Sequence, residues 1–330
     1  MMAPPAGHPP ARSAQSGPVL RVGTRGSPLA LWQARHFLAV VGAAGARLGR
    51  PESFVEAVIA TAGDRIQDKR LADIGGKGLF AKEIHEALLD GQIDCAVHSL
   101  KDLETELPPG IVLACVLPRE DARDAIILGP ACGPGDAADP LGCLPHGALV
   151  GTASVRRQSQ LLARRPDLRC EVIRGNVQTR LGRVRNGDFA ASFLALAGLR
   201  RLGLGAEADL VLDTDLMLPA AGQGIVGITA RAGDTALAQL LAAIECPAAR
   251  VAAEAERALL GALDGSCRTP IGAHAIPAGD GTVQLSGLLA RADGSFLHRE
   301  SLGGPATEAA SLGRELGARL RRAAPADVLG

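Results

Sequence analysis

Two stretches lying close together, GTASVRRQ (Gly151 to Gln158) and RGNVQTRL (Arg174 to Leu181), each set a turn of small residues beside paired or spaced arginines, where an apolar strand gives way to a helix. That combination builds a pocket for carboxylates. A helix N-terminus offers unpaired backbone N–H groups and the positive end of its dipole, and a guanidinium fork grips a carboxylate through two parallel hydrogen bonds. The design recurs upstream. GTRGSPLALWQA (Gly23 to Ala34) follows the apolar Val19-Leu20-Arg21-Val22, with Ser27 placed as an N-cap and Pro28 at the first helical position. GGKGLFAKEI (Gly75 to Ile84) sets Lys77 in a glycine turn ahead of another helix. One such turn carries little information; several on one chain point to a ligand with many negative charges. A different chemistry is offered by Cys267 in LDGSCRTPIG, a thiol on a loop among Gly, Ser and Arg. Arg268 and nearby backbone donors favour its thiolate, although on residue chemistry alone an inert cysteine is the commoner outcome.

The basic residues are placed rather than spread. Lys+Arg and Asp+Glu balance at 35 each, which leaves no general positive field for nucleic acid. Aromatics are 2% with no Tyr, so base-stacking platforms are missing as well. No apolar run approaches the roughly 18 residues of a membrane span. The opening MMAPPAGHPPARSAQSGP lacks a hydrophobic stretch suited to a secretory signal and reads as a disordered tail over residues 1–18. It has one Arg and no acidic residue, a pattern of organelle targeting that its prolines fit poorly. Seven cysteines, an odd number without a CxxC pair, favour a reducing cytoplasm over a disulfide framework. No metal site is expected: none of the histidines pairs at ligand spacing, and His98 within AVHSL reads as a hydrogen-bonded structural residue.

Strands must end where the basic turns begin. The pattern alternates strand Val19–Val22, helix Pro28–Val41, strand Phe54–Ala60, helix Leu79–Leu89, and strands Asp94–Leu100 and Ile111–Leu117, which is α/β patterning with a mainly parallel sheet. A second unit starts near Asp124–Leu128 and crosses a Gly/Pro-rich loop (Gly129 to Gly147). It continues through strand Ala148–Gly151, helix Ser154–Ala163, strand Cys170–Arg174, helix Val177–Val184 and strand Ala190–Leu196. After LPAAGQG (Leu218 to Gly224), the strand-like Ile225–Ala230 has no local partner and is expected to return to the first sheet. Two domains joined by two crossings form a hinge, with ligand in the cleft at the strand ends. The last third reads as a small α+β domain: helices Thr235–Ile244 and Ala248–Leu263, strands Cys267–Ile276, Thr282–Leu289 and Ser295–Leu302 with a turn at Asp293-Gly294, and helix Thr307–Arg322. The expected boundaries are 19–117 with 225–242 for the first domain, 123–218 for the second and 243–330 for the third, a number of domains that 330 residues can supply.

An ordered series of motifs resembles one family, porphobilinogen deaminase, also called hydroxymethylbilane synthase. From about Val19 onward it comprises GTRGSPLALWQA, GGKGLFAKEI, AVHSLKD (Ala96 to Asp102), Arg119 to Ala125, GTASVRRQ, RRPDL, RGNVQTR, LAGLRRLGL, LPAAGQG, AERALL and DGSCRTPIG. The resemblance implies a cytoplasmic monomeric transferase with two doubly wound domains like those of periplasmic binding proteins, followed by the small α+β domain. It implies that four porphobilinogen molecules are joined head to tail with loss of ammonia. The product, hydroxymethylbilane, would pass to uroporphyrinogen-III synthase in tetrapyrrole biosynthesis. Each porphobilinogen carries an acetate and a propionate, which matches the carboxylate pockets read from the turns.

Residue by residue, the resemblance implies that Cys267 carries a dipyrromethane cofactor through a thioether. Lys101, Thr152, Ser154, Arg156, Arg157, Arg174 and Gly175 would bind that cofactor, and Arg25, Ser27, Lys77, Arg180 and Arg201 the substrate. Arg164, Arg165, Arg183 and Arg185 keep the reading of solvated helix faces. Asp102 is assigned to catalysis, because departure of ammonia from an aminomethyl pyrrole leaves a cation that a fixed carboxylate stabilises. Without the motif, a turn-capping Asp would be the ordinary reading. The sequence departs from the family pattern at Asp73, at Leu103-Glu104 after HSLKD, at Ala153 in GTAS and at Thr229. Two rivals are a noncatalytic anion-binding protein of the periplasmic-binding-protein type, which leaves the Cys267 domain unexplained, and a nucleic-acid-binding regulator, for which no DNA-binding helix pair is evident.

Overall fold

The computed structural model describes residues 19–49, 53–65, 81–264 and 269–329; Lys77, Asp73, Cys267 and Arg268 lie outside the described residues, as does the stretch 1–18. Strand β1 (Val19–Thr24) turns through Arg25-Gly26-Ser27 into helix α1 (Pro28–Arg47). The turn is locally encoded: Ser27 is extended, its Oγ accepts from Ala30 N at 3.3 Å, and Pro28 fills the first helical position. β2 (Ser53–Val58), α2 (Lys82–Leu89), β3 (Cys95–Ser99) and β4 (Ile111–Val116) follow. The second unit comprises β5 (Asp124–Leu128), β6 (Leu149–Gly151), α3 (Val155–Leu162), β7 (Arg169–Glu171), α4 (Val177–Arg185), β8 (Ala191–Ala195), α5 (Leu196–Arg201) and β9 (Leu210–Val211). The chain then returns through β10 (Val226–Arg231) and α6 (Thr235–Ala242).

The two sheets share one logic. Their orders are β2-β1-β3-β10-β4 and β7-β6-β8-β5-β9. In the first, β1 runs parallel to β2 and β3, while β10 is inserted antiparallel between β3 and β4. In the second, β6 runs parallel to β7 and β8, while β5 is inserted antiparallel between β8 and β9. Each inserted strand is the one that follows a crossing from the opposite lobe. The expectation of a mainly parallel sheet holds for four of the five strands in each sheet, and the inserted β10 and β5 are the antiparallel exceptions. Parallel neighbours need a long crossover, usually helical, and β5 and β10 enter without one.

The crossings are tied to each other. Leu117 N donates to Val226 O and Glu120 N to Gly224 O, both at 3.0 Å. Gly224 has φ +87°, and a Cβ there would lie 2.3 Å from Glu120 O, so only glycine permits the approach. Separate apolar clusters support each unit: Phe37, Val41, Val97 and Ile228 in the first, Ile126, Leu161 and Phe193 on one face of the second sheet, and Ile173, Val184 and Leu199 on the other.

The third unit is α7 (Pro247–Ala262), the antiparallel sheet β11 (Ile271–Pro277), β12 (Thr282–Ala290) and β13 (Leu297–Pro305), and α8 (Ala309–Ala323). Ala252, Ala255 and Leu259 of α7 and Leu316 and Leu320 of α8 pack with Leu285 and Leu289 of β12 in a common core. Among the described residues no single helix is long and apolar enough to cross a membrane.

Candidate functional site

Asp102 stands at the end of a 3-10 turn, Leu100–Asp102, that follows β3 directly. Leu100 and Leu103 are buried and anchor the turn on both sides, Lys101 is half-buried, and Asp102 is exposed. This is a means of presenting one carboxylate from a rigid strand end. Arg25 and Ser27 from the β1–α1 turn, Gln33 from α1, and His98, Ser99 and Asp102 line a shared cavity of about 70 Å³. Gln33 Nε2 donates to Ser99 Oγ at 2.9 Å and fixes that wall. His98 Nε2 lies 2.9 Å from Thr229 Oγ1. Burial, helped by His85 and Arg25, pushes its pKa down to about 3, so the imidazole is neutral at physiological pH. The structural reading of His98 agrees with this, and Thr229, a departure from the family pattern, is its partner.

The second lobe contributes the N-termini of α3 and α4. Thr152 is buried and its Oγ1 accepts from Ser154 N at 3.1 Å, while Ser154 caps α3 by accepting from Arg157 N at 3.4 Å. Asn176 caps α4 through Thr179 N at 2.9 Å. Ahead of that cap Gly175 has φ +106°, and a Cβ there would lie 2.7 Å from Thr179 Cγ2. Arg174 is half-buried at this turn, and Arg180 Nε donates to Gly175 O at 2.9 Å. Burial, aided by Arg157 and Arg174 and opposed by Asp102, lowers Arg180 to about 10. Asp102 on one lobe therefore lies within electrostatic range of the guanidinium cluster on the other.

Arg156 and Arg157 are placed differently from the expectation of open forks. Arg156 donates to Asp124 Oδ2 at 2.8 Å and to Leu218 O at 2.6 Å, and Arg157 donates to Asp124 Oδ1 and Phe193 O at 2.8 Å each. All three side chains are buried. Two guanidiniums against one carboxylate leave one net positive charge, and Arg157 Nε has no hydrogen-bond partner among the described residues. Gln223 extends the network: its Nε2 donates to Asp124 Oδ1 at 2.8 Å and its Oε1 accepts from Lys101 Nζ at 3.4 Å. A chain of side chains thus links the lobes just behind Asp102.

Lys101 feels this setting. Burial lowers its pKa from 10.5 to about 8, with Asp102 opposing and Arg157 adding to the fall. Because the unfolded lysine holds its proton to a higher pH than the folded one, the charged form opposes folding below about 8, and that penalty is released between about 8 and 10.5. Lys101→Met is expected to melt above the parent at pH 7 and to lose the advantage near pH 10.5. A melting-temperature difference that is constant across that range would exclude the assignment.

Arg201 donates to Gly224 O at 2.7 Å, and its guanidinium lies 5.8 Å from the Trp32 ring, so it bridges a crossing strand and α1. The arginines read as ordinary surface groups behave as such or as local ties. Arg164 donates to Asp215 O, Arg165 and Arg183 pair with Asp167 and Asp188, and Arg185 pairs with Glu207 and Asp209. Sequence reasoning missed Asp124, Gln223 and Glu256. Glu256, fully buried on α7, accepts from Arg119 at the first crossing, Gly222 N at the second and Ala275 N on β11. Its signal was present: with Ala249, Ala252, Ala253 and Leu259 it falls on the buried stripe of a helix, where an acid needs partners. Among the described residues no group of three or more His, Cys, Asp or Glu could hold a metal ion.

The family models and the curated relatives agree. A family model described as porphobilinogen deaminase, dipyromethane cofactor binding domain, matches residues 20–239, and one described as porphobilinogen deaminase, C-terminal domain, matches residues 251–322. A chloroplastic porphobilinogen deaminase of Oryza sativa subsp. japonica is 49% identical over 287 residues, 87% of this chain and 78% of that protein. The porphobilinogen deaminase of Paracoccus denitrificans is 46% identical over 312 residues, covering 93% of this chain and 95% of its own. Among solved structures, an arginine-specific periplasmic binding protein of Salmonella typhimurium is similar at a TM-score of 0.36 and 14% identity, over 69% of this chain and 92% of its own.

Proposed function

The chain belongs to the porphobilinogen deaminase family, and from that premise we propose that it is a hydroxymethylbilane synthase, a transferase that joins four porphobilinogen molecules head to tail with release of ammonia. The observation that carries this reading is the exposed Asp102 carboxylate set opposite Arg174 and Arg180 and backed by the Lys101–Gln223–Asp124–Arg156/Arg157 network. A noncatalytic anion-binding cleft accounts for the arginines but leaves without purpose a strand-end carboxylate placed within electrostatic range of them.

The residues fit an acidic pyrrole group. The Asp124 triad keeps a net positive charge, and Arg157 Nε is buried and unpartnered among the described residues. In our reading Lys101, Thr152, Ser154, Arg156, Arg157, Arg174 and Gly175 hold a dipyrromethane cofactor attached by a thioether to Cys267, and Arg25, Ser27, Lys77, Arg180 and Arg201 serve the substrate. When bound, the dipyrromethane supplies the carbon nucleophile onto which the pyrrole chain is built. Asp102 faces the pyrrole N–H of the incoming porphobilinogen, stabilises the positive charge that develops as ammonia departs, and takes part in moving the ring proton. Lys101 and the arginines neutralise the acetate and propionate groups, which orients the ring. The protein acts as a cytoplasmic monomer, and its product goes to uroporphyrinogen-III synthase.

Intact mass before and after addition of porphobilinogen tests the reading, since only the synthase carries covalent pyrrole mass and gains it stepwise. Cys267→Ser is expected to fold, to lack the adduct and to lose turnover. A pyrrole adduct mapped to Cys246, or full turnover by the serine variant, removes Cys267 from its role. The described thiols at strand positions are poor competitors, since Cys95 and Cys115 are buried and burial pushes the Cys95 thiol up to about 12.

A further inference from the structure

The segment leaving Asp102 is held by groups that the reaction itself does not use. Asp102 ends a turn whose own closure is a single backbone bond, Leu103 N to Leu100 O at 3.1 Å, so beside its two buried leucines its position depends on what fixes the chain beyond it. Two devices do so. From the third unit, Arg257 on α7 donates to three successive carbonyls, Leu103 O at 3.3 Å, Glu104 O at 2.7 Å and Thr105 O at 3.0 Å. From within the first lobe, Glu104 Oε1 lies 3.6 Å from Nδ1 of His85 on α2, a residue only 2% exposed. Neither ring nitrogen of His85 has a hydrogen-bond partner among the described residues, and the same is true of Glu104 Oε2.

A buried imidazole and a partly buried acid that satisfy so little of their hydrogen-bonding capacity among the described residues contribute less to stability than apolar residues of similar size would. They are therefore to be explained by geometry. Glu104 is two residues from Asp102 and stands where the sequence departs from the family pattern. The His85 ring is 6.1 Å from that of His98, which lines the Asp102 cavity. Arg257 also feels the Glu104 charge: burial lowers its pKa to about 10 and Glu104 opposes the fall.

We propose that His85 and Glu104 form a positioning pair that, clamped by Arg257 from the third unit, sets the location of the Asp102 carboxylate. The inference rests on the catalytic reading of Asp102. Glu104 and His85 touch no reacting atom; they act by limiting where the turn can sit. Arg257 makes that position dependent on the unit that carries the cofactor loop, so the acid and the anchored chain are placed by one frame.

The test uses the cofactor-loaded enzyme and four variants: Glu104→Leu, Glu104→Gln, Asp102→Asn, and Asp102→Asn with Glu104→Leu. Glu104→Leu is expected to lower kcat about tenfold with KM for porphobilinogen changed less than twofold and with no fall in melting temperature. Glu104→Gln, which keeps the reach toward His85, is expected to recover most of that loss and covers the case in which the leucine variant does not fold. In the Asp102→Asn background, Glu104→Leu should add nothing. An unchanged kcat in both Glu104 variants, or a second tenfold loss on top of Asp102→Asn, overturns the pair as a positioning device. Full turnover by Asp102→Asn alone instead overturns the catalytic reading and the inference with it.

Discussion

Asp124→Asn is expected to destabilise the protein by about 3–5 kcal/mol, the range for removing one partner of a buried ionic group. The change exchanges one oxygen for an amide nitrogen, yet it removes the only counter-charge that contacts the two buried guanidiniums among the described residues. It also turns a donor toward an arginine that already presents donors. Asp124 is fully buried and accepts from Arg156, Arg157 and Gln223 at 2.8 Å each. Burial works against its ionisation, but Arg156 and Arg157 together hold the carboxyl far below the usual carboxylate range. The sign follows from that depression: the contribution is complete above the unfolded-state value near 3.8 and is lost as pH falls toward the much lower folded value. The parent should thus lose stability through that acid window by an amount that the asparagine variant has already lost at pH 7. Urea unfolding at several pH values reads both. Exposed Arg164, which donates to the Asp215 carbonyl, supplies the control, since Arg164→Leu should stay within about 0.5 kcal/mol of the parent. Equal stability of the Asp124 variant and the control would show that the guanidiniums find other partners.

What was legible in the sequence was what local chemistry determines. The β1–α1 turn was readable because Ser27 and Pro28 act within one helical turn, and the cap is present as expected. The return of a strand after Gly224 was readable because an apolar run with no local partner must pair somewhere, and β10 lies between β3 and β4. Its antiparallel direction was not, since direction depends on the path of the chain and not on which residues alternate. The two-residue β9 is too short to show a period of any kind. At the site, small-residue turns located the N-termini of α3 and α4, but not the task of the arginines there. Asp124 sits 32 positions from Arg156, and nothing local distinguishes a guanidinium committed to a buried acid from one open to ligand. Glu256 and His85 were findable in principle, as polar residues on the buried stripes of α7 and α2. A stripe reveals that a polar group must be satisfied and leaves open by what.

Asp102→Asn is the second change with a large expected effect, and it separates charge from shape. The side chain is exposed at the end of a turn whose flanking leucines carry the packing, so asparagine should leave folding intact; circular dichroism checks this. Turnover should fall at least about a hundredfold, equivalent to roughly 2.7 kcal/mol, while KM for porphobilinogen changes much less. That split is expected because the positive charge opposed by the carboxylate exists chiefly along the reaction path and hardly in the bound substrate. On the proposed reading, Arg180 and the net charge behind Lys101 draw the acetate and propionate of the substrate, which leaves the ring nitrogen as the part that can approach an acid. Asp102→Glu restores the charge in a displaced geometry and should keep part of the activity, since misplacement by about one ångström at a reacting centre is itself worth up to about a hundredfold. Both variants should still acquire covalent pyrrole mass if assembly of the cofactor demands less of the carboxylate than repeated turnover does. An asparagine variant as fast as the parent would take Asp102 out of the mechanism and leave Lys101, with its pKa lowered to about 8, as the group at the strand end able to exchange a proton near neutral pH.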